Sequence, residues 1–276
     1  MAPLQTLSKS DTSVAPAPAP VAASVTPVAP VGAKRDLSAL YVPGAIVIAA
    51  VIIAGGLYFG LAAKGGGSGQ GDAHGQQPTA NVDIKNVKIA GEPFIGKANA
   101  PVVMAYWFDY QCPFCKAFDT GGIPQIKTAA VMPDLIKQYV NTGKLKIVFK
   151  DYPFLGNDST TASEYAHAIW DLYPAQFFAW HTAMFKAQDE EGDQGFGNAA
   201  TIDQLIAKSF PQMDGAKIKA QLASKKDSYD KAIQADREEG SAMGVNGTPG
   251  FVVGTTLISG AQPLSAFTTA IDPLLK

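Results

Sequence analysis

Seven residues, VVMAYWF at 102–108, run apolar without a break. Four positions after them begin the only two cysteines of the chain, in the order Cys112-Pro113-Phe114-Cys115. An uninterrupted apolar run of this length suits a strand buried on both faces, at the centre of a sheet. Phe114, Ala117 and Phe118 then follow at helical spacing, so the cysteines stand where a central strand hands over to a helix. Pro113 fits the first turn of that helix, where a missing N–H costs nothing. Few folds place a cysteine pair at such a junction, and this one feature narrows the chain to an α/β architecture.

The rest of the C-terminal region agrees with that class. LKIVFK at 145–150 puts Leu145, Ile147 and Phe149 on one face and predicts a second strand. Between the strands Gly121, Gly122, Pro124 and Pro133 break the helical pattern. Leu135, Ile136, Tyr139 and Val140 resume it until NTG at 141–143 stops it. Residues 158–240 carry helical stripes throughout, among them Tyr165, Ile169, Trp180, Met184 and Ile233. GFVVGTTLISG at 250–260 predicts a hairpin, and Leu264, Phe267, Ile271 and Leu274 a closing helix begun at Pro263. With 47% hydrophobic residues over 276 positions, one or two packed domains are expected. A formal net charge of −2 gives no basic excess for nucleic-acid binding.

The N-terminal part differs. Residues 1–38 are rich in Ala, Pro, Val and Ser and read as a disordered or extended cytoplasmic tail. Leu40 to Ala63 contains no charge and spans roughly 36 Å as a helix, enough for a bilayer. Tyr41 and Tyr58 lie near its ends, where interfacial aromatics are favoured. A buried core helix and a cleaved signal peptide are the rival readings. Isolation between low-complexity segments argues against the first, and length and position against the second. Residues 39–63 are therefore expected to be a single-pass anchor in the cell membrane. Lys34 and Arg35 against Lys64 put the N-terminus in the cytoplasm and the C-terminal domain outside. Residues 64–81 form a Gly-rich tether, whose His74 reads as solvent-exposed.

What can two cysteines at this spacing do? A structural disulfide closing so short a loop restricts the unfolded chain little. Zinc needs four ligands, and no second cysteine pair exists. Haem attachment needs His after the second cysteine, and position 116 is Lys. Thiol–disulfide exchange needs only the pair. Cys112 at a helix N-terminus meets unpaired N–H groups and the helix dipole, which favour its thiolate. Cys115, one turn on, points toward the body of the domain. An exposed attacking thiol and a sheltered resolving thiol result. An extracytoplasmic domain would face an oxidising space where disulfides persist.

A second motif is GVNGTPGF at 244–251. Thr248–Pro249 precedes an apolar strand after a Gly-rich turn, a setting in which the proline is a candidate cis residue. The N–H and C=O of Thr248 could then pair with an extended peptide in β fashion. Taken alone, the stretch is equally a plain turn before a strand.

Together, WFDYQCPFC, VNGTPGFVVG, IVFKDYPF and the helical block with FFAWHTAMF resemble the DsbA family of the thioredoxin superfamily, in its membrane-anchored form. The resemblance covers about residues 82–276. It implies a thioredoxin-like fold with an inserted helical domain at about 156–240, preceded by a single N-terminal transmembrane helix. It also implies disulfide exchange in secreted or cell-envelope proteins, most often as an oxidase and with no bound cofactor. By resemblance Cys112 is the nucleophile, Cys115 the resolving cysteine, and Thr248–Pro249 the substrate-binding cis-proline turn. Phe114 stands with Pro113 where the best-known enzymes carry His, and offers the thiolate no charge or hydrogen bond. Gly250 stands where a bulkier residue is common in the family. The expected partners are reduced or unfolded exported proteins and a membrane partner that reoxidises the pair, since one disulfide serves one turnover. A reductase fed with electrons from across the membrane, and a non-catalytic module holding extended peptides, are the alternatives.

Other polar residues have two readings each. Asp109, three positions before Cys112, could tune the thiol or relay protons, and could equally cap the helix or face solvent. Lys146 and Lys150 are expected to snorkel at a sheet edge, and His167 and His181 to pack with their polar tips outward. DEEGDQ at 189–194 reads as a solvated loop, with no metal site expected.

Overall fold

A computed structural model of the chain describes residues 82–123, 130–189 and 195–276. The expected tail, anchor and tether lie outside the described residues. Among the described residues no helix is long and apolar enough to cross a membrane.

The strand expected at 102–108 forms as β2, Val102–Phe108, after a two-residue edge strand β1, Phe94–Ile95, that the sequence did not signal. The short helix α1, Pro113–Asp119, follows β2. The chain returns through α2, Met132–Leu135, and a wider π turn at Ile136–Val140. Gly143 at φ +76 stops it, a left-handed backbone suited to glycine, and β3, Leu145–Asp151, begins. In the sheet order β1-β3-β2-β4-β5, β2 runs parallel to β3 and antiparallel to β4, Gly250–Val253. The hairpin partner β5 is Thr256–Ser259. This is the thioredoxin-like α/β sheet.

Alternation along β2 feeds two separate cores. Met104, Tyr106 and Phe108 enter the larger one with Ile147, Phe149 and Phe251. Ala105 and Trp107 enter a smaller one with Val87, Met243, Val245 and Val252. Both faces being covered explains why this stretch carries no charged residue. Each large side chain fully removed from water contributes about 1.5–3 kcal/mol.

Between β3 and β4 stand the inserted helices: α3, Asn157–Leu172; α4, Phe177–Ala187; α5, Ala199–Ser209; and α6, Gly215–Ala242. Pro174 ends the first run by opening a 3-10 turn to Gln176. Asn198 and Asp214 cap α5 and α6 by accepting backbone N–H bonds. Near its end α6 crosses the sheet at Gly240, where a Cβ would stand 2.8 Å from the Trp107 ring. The indole N–H donates to the Asp236 carbonyl at 2.9 Å. The helix α7, Leu264–Ile271, closes the chain with Pro263 as its N-cap.

Lys150 departs from expectation. β3 is an inner strand, so a lysine there has no edge from which to reach water. Its ammonium, 1% exposed, meets Asp236 at 2.5 Å, Glu239 at 3.1 Å and Glu92 at 3.3 Å. It also donates to the Lys88 carbonyl at 3.1 Å. Burial disfavours the charge, but the three carboxylates outweigh it and raise its pKa. Lys146 is buried too, its ammonium 5.2 Å from the centre of the Phe94 ring.

Candidate active site

β2 delivers the chain to a tight turn. The Cys112 N–H donates to the Asp109 carbonyl at 3.0 Å. The Asp109 carboxylate, buried, accepts from the N–H groups of Gln111 at 2.8 Å, Phe154 at 2.8 Å and Leu155 at 3.2 Å. It therefore ties the cysteine turn to the segment leaving β3. It neither faces solvent nor caps α1. Burial pushes its pKa up, against those backbone donors. Cys112 is the N-cap of α1 and Pro113 opens the helix, as the spacing predicts.

The two thiols are held differently. Cys112 is only 4% exposed and Cys115 fully buried, so the expected exposed thiol is in fact mostly covered. Their chemistry still separates. The Cys112 pKa is lowered, chiefly by the hydrogen bond from Cys115; Thr248 and the N–H groups of Cys115 and Phe114 add to this, while burial opposes it. Cys115 is pushed well up, first by burial, then by its hydrogen bond to Cys112 and by the Cys112 charge. Phe114 thus favours the thiolate through its backbone, although its side chain, 51% exposed, offers nothing. In the reduced protein iodoacetamide is expected to label Cys112 first. Its rate should hold at pH values below the ordinary thiol range near 9.0, because a lowered pKa keeps the thiolate populated as pH falls. Peptide mass spectrometry reads the order, and preferential labelling of Cys115 would reverse the assignment.

Thr248–Pro249 is cis and lies beside the pair. The Cys112 thiol donates to the Thr248 carbonyl at 3.3 Å. In this reduced form that carbonyl is engaged by the thiol rather than turned outward. At Gly250, a Cβ would come within 2.7 Å of Val245, which accounts for glycine at that position.

Residues that the sequence reading passed over complete the surroundings. Gln188, just after α4, donates from its amide to the carbonyls of Tyr110 at 2.7 Å and Cys112 at 3.1 Å. Its own carbonyl accepts from Lys116 at 2.7 Å. Gln111 reaches the Phe196 carbonyl at 2.9 Å. The inserted helices therefore clamp the cysteine turn from the far side. Of the 189–194 stretch only Asp189 is described, and it accepts from the Phe196 N–H at 2.7 Å.

The histidines do not point outward. His181 is fully buried, with Nδ1 3.1 Å from the Tyr110 hydroxyl and Nε2 3.2 Å from Asp119. His167 Nε2 meets Asp151 at 2.9 Å and its ring stacks on Tyr229. Burial lowers its pKa, and Asp151 more than reverses that. Both histidines face carboxylates on other elements, Asp151 at the end of β3 and Asp119 at the end of α1, which the 3.6 period alone did not reveal.

The Thioredoxin_4 family, described as thioredoxin, matches residues 88–273. The chain belongs to the thioredoxin family. Over 188 residues it is 26% identical to disulfide bond formation protein D of Bacillus subtilis (strain 168), covering 68% of this chain and 79% of that one. The probable disulfide bond formation protein D of Bacillus anthracis is 24% identical over 183 residues, 66% and 77% of the two chains. Among solved structures, oxidised BdbD from Bacillus subtilis superposes with a TM-score of 0.60 at 23% identity, covering 71% of this chain and 97% of its own. The thiol-disulfide exchange protein alpha-DsbA2 from Wolbachia pipientis gives 0.57 at 26% identity, covering 69% and 90%. With this family, these relatives and this fold, the protein is a thiol–disulfide oxidoreductase of the DsbA kind.

Proposed function

We propose that the protein introduces disulfides into exported or cell-envelope proteins through Cys112 and Cys115. The observation that carries this is the opposite bias of the two thiols: Cys112 is held toward its thiolate and Cys115 away from it. In the oxidised pair, Cys112 takes the incoming substrate thiolate as a mixed disulfide, and a second substrate thiol then displaces it. A stabilised Cys112 thiolate is a good leaving group and stabilises the reduced protein, which makes the disulfide easier to give away. Cys115 serves as the resolving thiol when the exchange runs backward. Pro113 and Phe114 tune the pair through the helix start and the backbone N–H, and Asp109 by fixing the turn.

Thr248 and Pro249 are the substrate-binding turn in this reading. Once Cys112 is in a disulfide its thiol no longer donates, and the Thr248 carbonyl is open to a substrate N–H. The substrates are reduced or unfolded proteins, and a membrane redox partner restores the disulfide. The apolar run at 39–63 anchors the domain on the extracytoplasmic side.

The test is the reduction potential of the pair together with the rate of oxidising a reduced, unfolded protein. A value well above the roughly −270 mV of thioredoxin, with rapid oxidation, is expected. A potential at or below it would instead make the protein a reductase. Absence of exchange altogether would leave a peptide-binding module.

A further inference from the structure

The turn that carries Thr248 and Pro249 has a sequence that does not hold its own shape. Between Val245 and Thr248 lie Asn246, which is exposed, and Gly247, where a Cβ would meet nothing within 4 Å. Glycine gives such a stretch many conformations to lose. The turn is fixed at its two ends instead. At the far end the Pro249 carbonyl accepts from the Gly260 N–H at 2.8 Å. At the near end the Val245 N–H donates to the Gly240 carbonyl at 2.9 Å, and the Val245 carbonyl accepts from the Tyr152 hydroxyl at 3.1 Å. Between the ends, the Cys112 thiol donates to the Thr248 carbonyl at 3.3 Å. That bond needs a thiol hydrogen, so the oxidised pair, the form that meets a reduced substrate, is without it. In that form the anchoring at Val245 matters most.

Tyr152 stands on the segment that leaves β3, and that segment is tied to the cysteine side of the site. The Tyr152 N–H donates to the carbonyl of Phe108, the last residue of β2, at 2.9 Å. Asp109, the next residue, accepts from the N–H groups of Phe154 and Leu155. Pro153 restricts Tyr152 to extended backbone, and the half-buried Tyr152 ring packs against the smaller core. The Ser241 hydroxyl lies 3.1 Å from the phenol oxygen and donates to it, which leaves the phenol hydrogen for Val245. We propose that Tyr152 is a positioning residue for disulfide exchange. It couples the Val245 end of the turn to the strand end that bears the cysteines, and so keeps the Thr248 backbone at the spacing from Cys112 that an extended peptide needs. The inference rests on the exchange reading above, with Thr248–Pro249 as the substrate-binding turn. A peptide strand held on Thr248 presents its thiolate to the Cys112 sulfur. Without the phenol hydroxyl the turn samples other positions, and each peptide must first order it in order to bind. A small thiol with no backbone to hold is indifferent to that ordering.

The test uses the full chain in its oxidised form, in excess over a synthetic extended peptide with two cysteines. Single-turnover oxidation of the peptide is timed as protein concentration rises. Reduction of the same oxidised protein by dithiothreitol, which has no peptide backbone, is timed in parallel. Tyr152→Phe keeps the ring in the smaller core and removes only the hydroxyl. Its half-saturating concentration for the peptide is expected to rise roughly 3- to 10-fold, the range of one lost hydrogen bond. Its maximum rate and its dithiothreitol rate should stay within about twofold of wild type. Ser241→Ala, which leaves the bond to Val245 in place, should move the peptide value by less than about twofold. Wild-type peptide kinetics in Tyr152→Phe overturn the proposal. An equal fall in the peptide and dithiothreitol rates overturns it as well, because the cysteine turn itself would then have moved. So does an equal effect in Ser241→Ala, which would make the bond to Val245 irrelevant. Failure of the wild-type protein to oxidise the peptide at all overturns the exchange reading, and the role of Tyr152 with it.

Discussion

Cys112→Ser is expected to abolish exchange, bringing oxidation of a reduced protein substrate down to the uncatalysed background. A hydroxyl forms no mixed disulfide, and Cys115 cannot take over the attack. It is fully buried, and burial together with the neighbouring thiol holds it in the protonated form. Folding should be nearly untouched: the serine hydroxyl is smaller but still donates toward the Thr248 carbonyl, a bond worth about 0.5–1.5 kcal/mol. Cys115→Ser should behave differently. Offered a disulfide-containing protein, it retains the Cys112 nucleophile, which attacks that disulfide, releases the other substrate sulfur as a thiol and accumulates as a stable mixed disulfide, visible on a non-reducing gel. The two variants therefore separate attack from resolution. Substantial turnover by Cys112→Ser, or trapping by it rather than by Cys115→Ser, would exchange the two roles.

The second large effect is on stability. Lys150→Met should destabilise the protein by about 3–5 kcal/mol at neutral pH, the usual cost of removing one partner from a buried ionic group. Methionine fills much the same space, so the loss comes from charge and not from a cavity. Without the ammonium, Asp236, Glu92 and Glu239 face one another with no cation among them. Burial already pushes Asp236 up to about 7 against the pull of Lys150, with Glu92 and Asp151 adding to the rise. Removing Lys150 raises it further. The sign of the pH dependence follows. A carboxyl group whose folded pKa lies above its unfolded value favours the folded state when protonated, and that stability is lost as pH rises from about 4 through the folded value. The deficit of Lys150→Met should thus be largest near pH 7.5 and shrink toward pH 5 in urea titrations. A deficit under about 1 kcal/mol, the range of a surface pair, would mean that the cluster is effectively solvated.

Several parts of the fold were legible because they depend on local pattern. The apolar run at 102–108 declared a strand covered on both faces, and Trp107 and Tyr106 do enter opposite cores. Pro113 announced the first turn of α1. Gly254 at φ +58 sits in the turn of the hairpin that the 250–260 pattern predicted. The polar residues were less legible. Lys150, His167 and His181 were placed outward because a charged or polar tip on an amphipathic stripe usually finds water. Their partners, Asp236, Asp151 and Asp119, lie 86, 16 and 62 positions away in sequence. No periodicity within one element reports a neighbour on another. β1 was missed for a related reason: two residues carry no pattern, and their pairing with Ile147 and Val148 is decided by β3.

What the sequence determined by itself is the chemistry available: two cysteines one turn apart, after a buried strand, with a Thr-Pro turn far downstream. Spacing fixes which groups share a helical turn, because backbone geometry is local. Tertiary structure decided how differently the two thiols behave. Cys115 becomes the suppressed thiol because α1 lies down on Tyr106 and the inserted helices seal the far side. Cys112 becomes the favoured one because the Cys115 thiol, the side chain of Thr248, 136 positions away, and the N–H groups of Cys115 and Phe114 favour its charged form. Desolvation and hydrogen bonding set a thiol's acidity, and both are properties of the packed surroundings rather than of the motif.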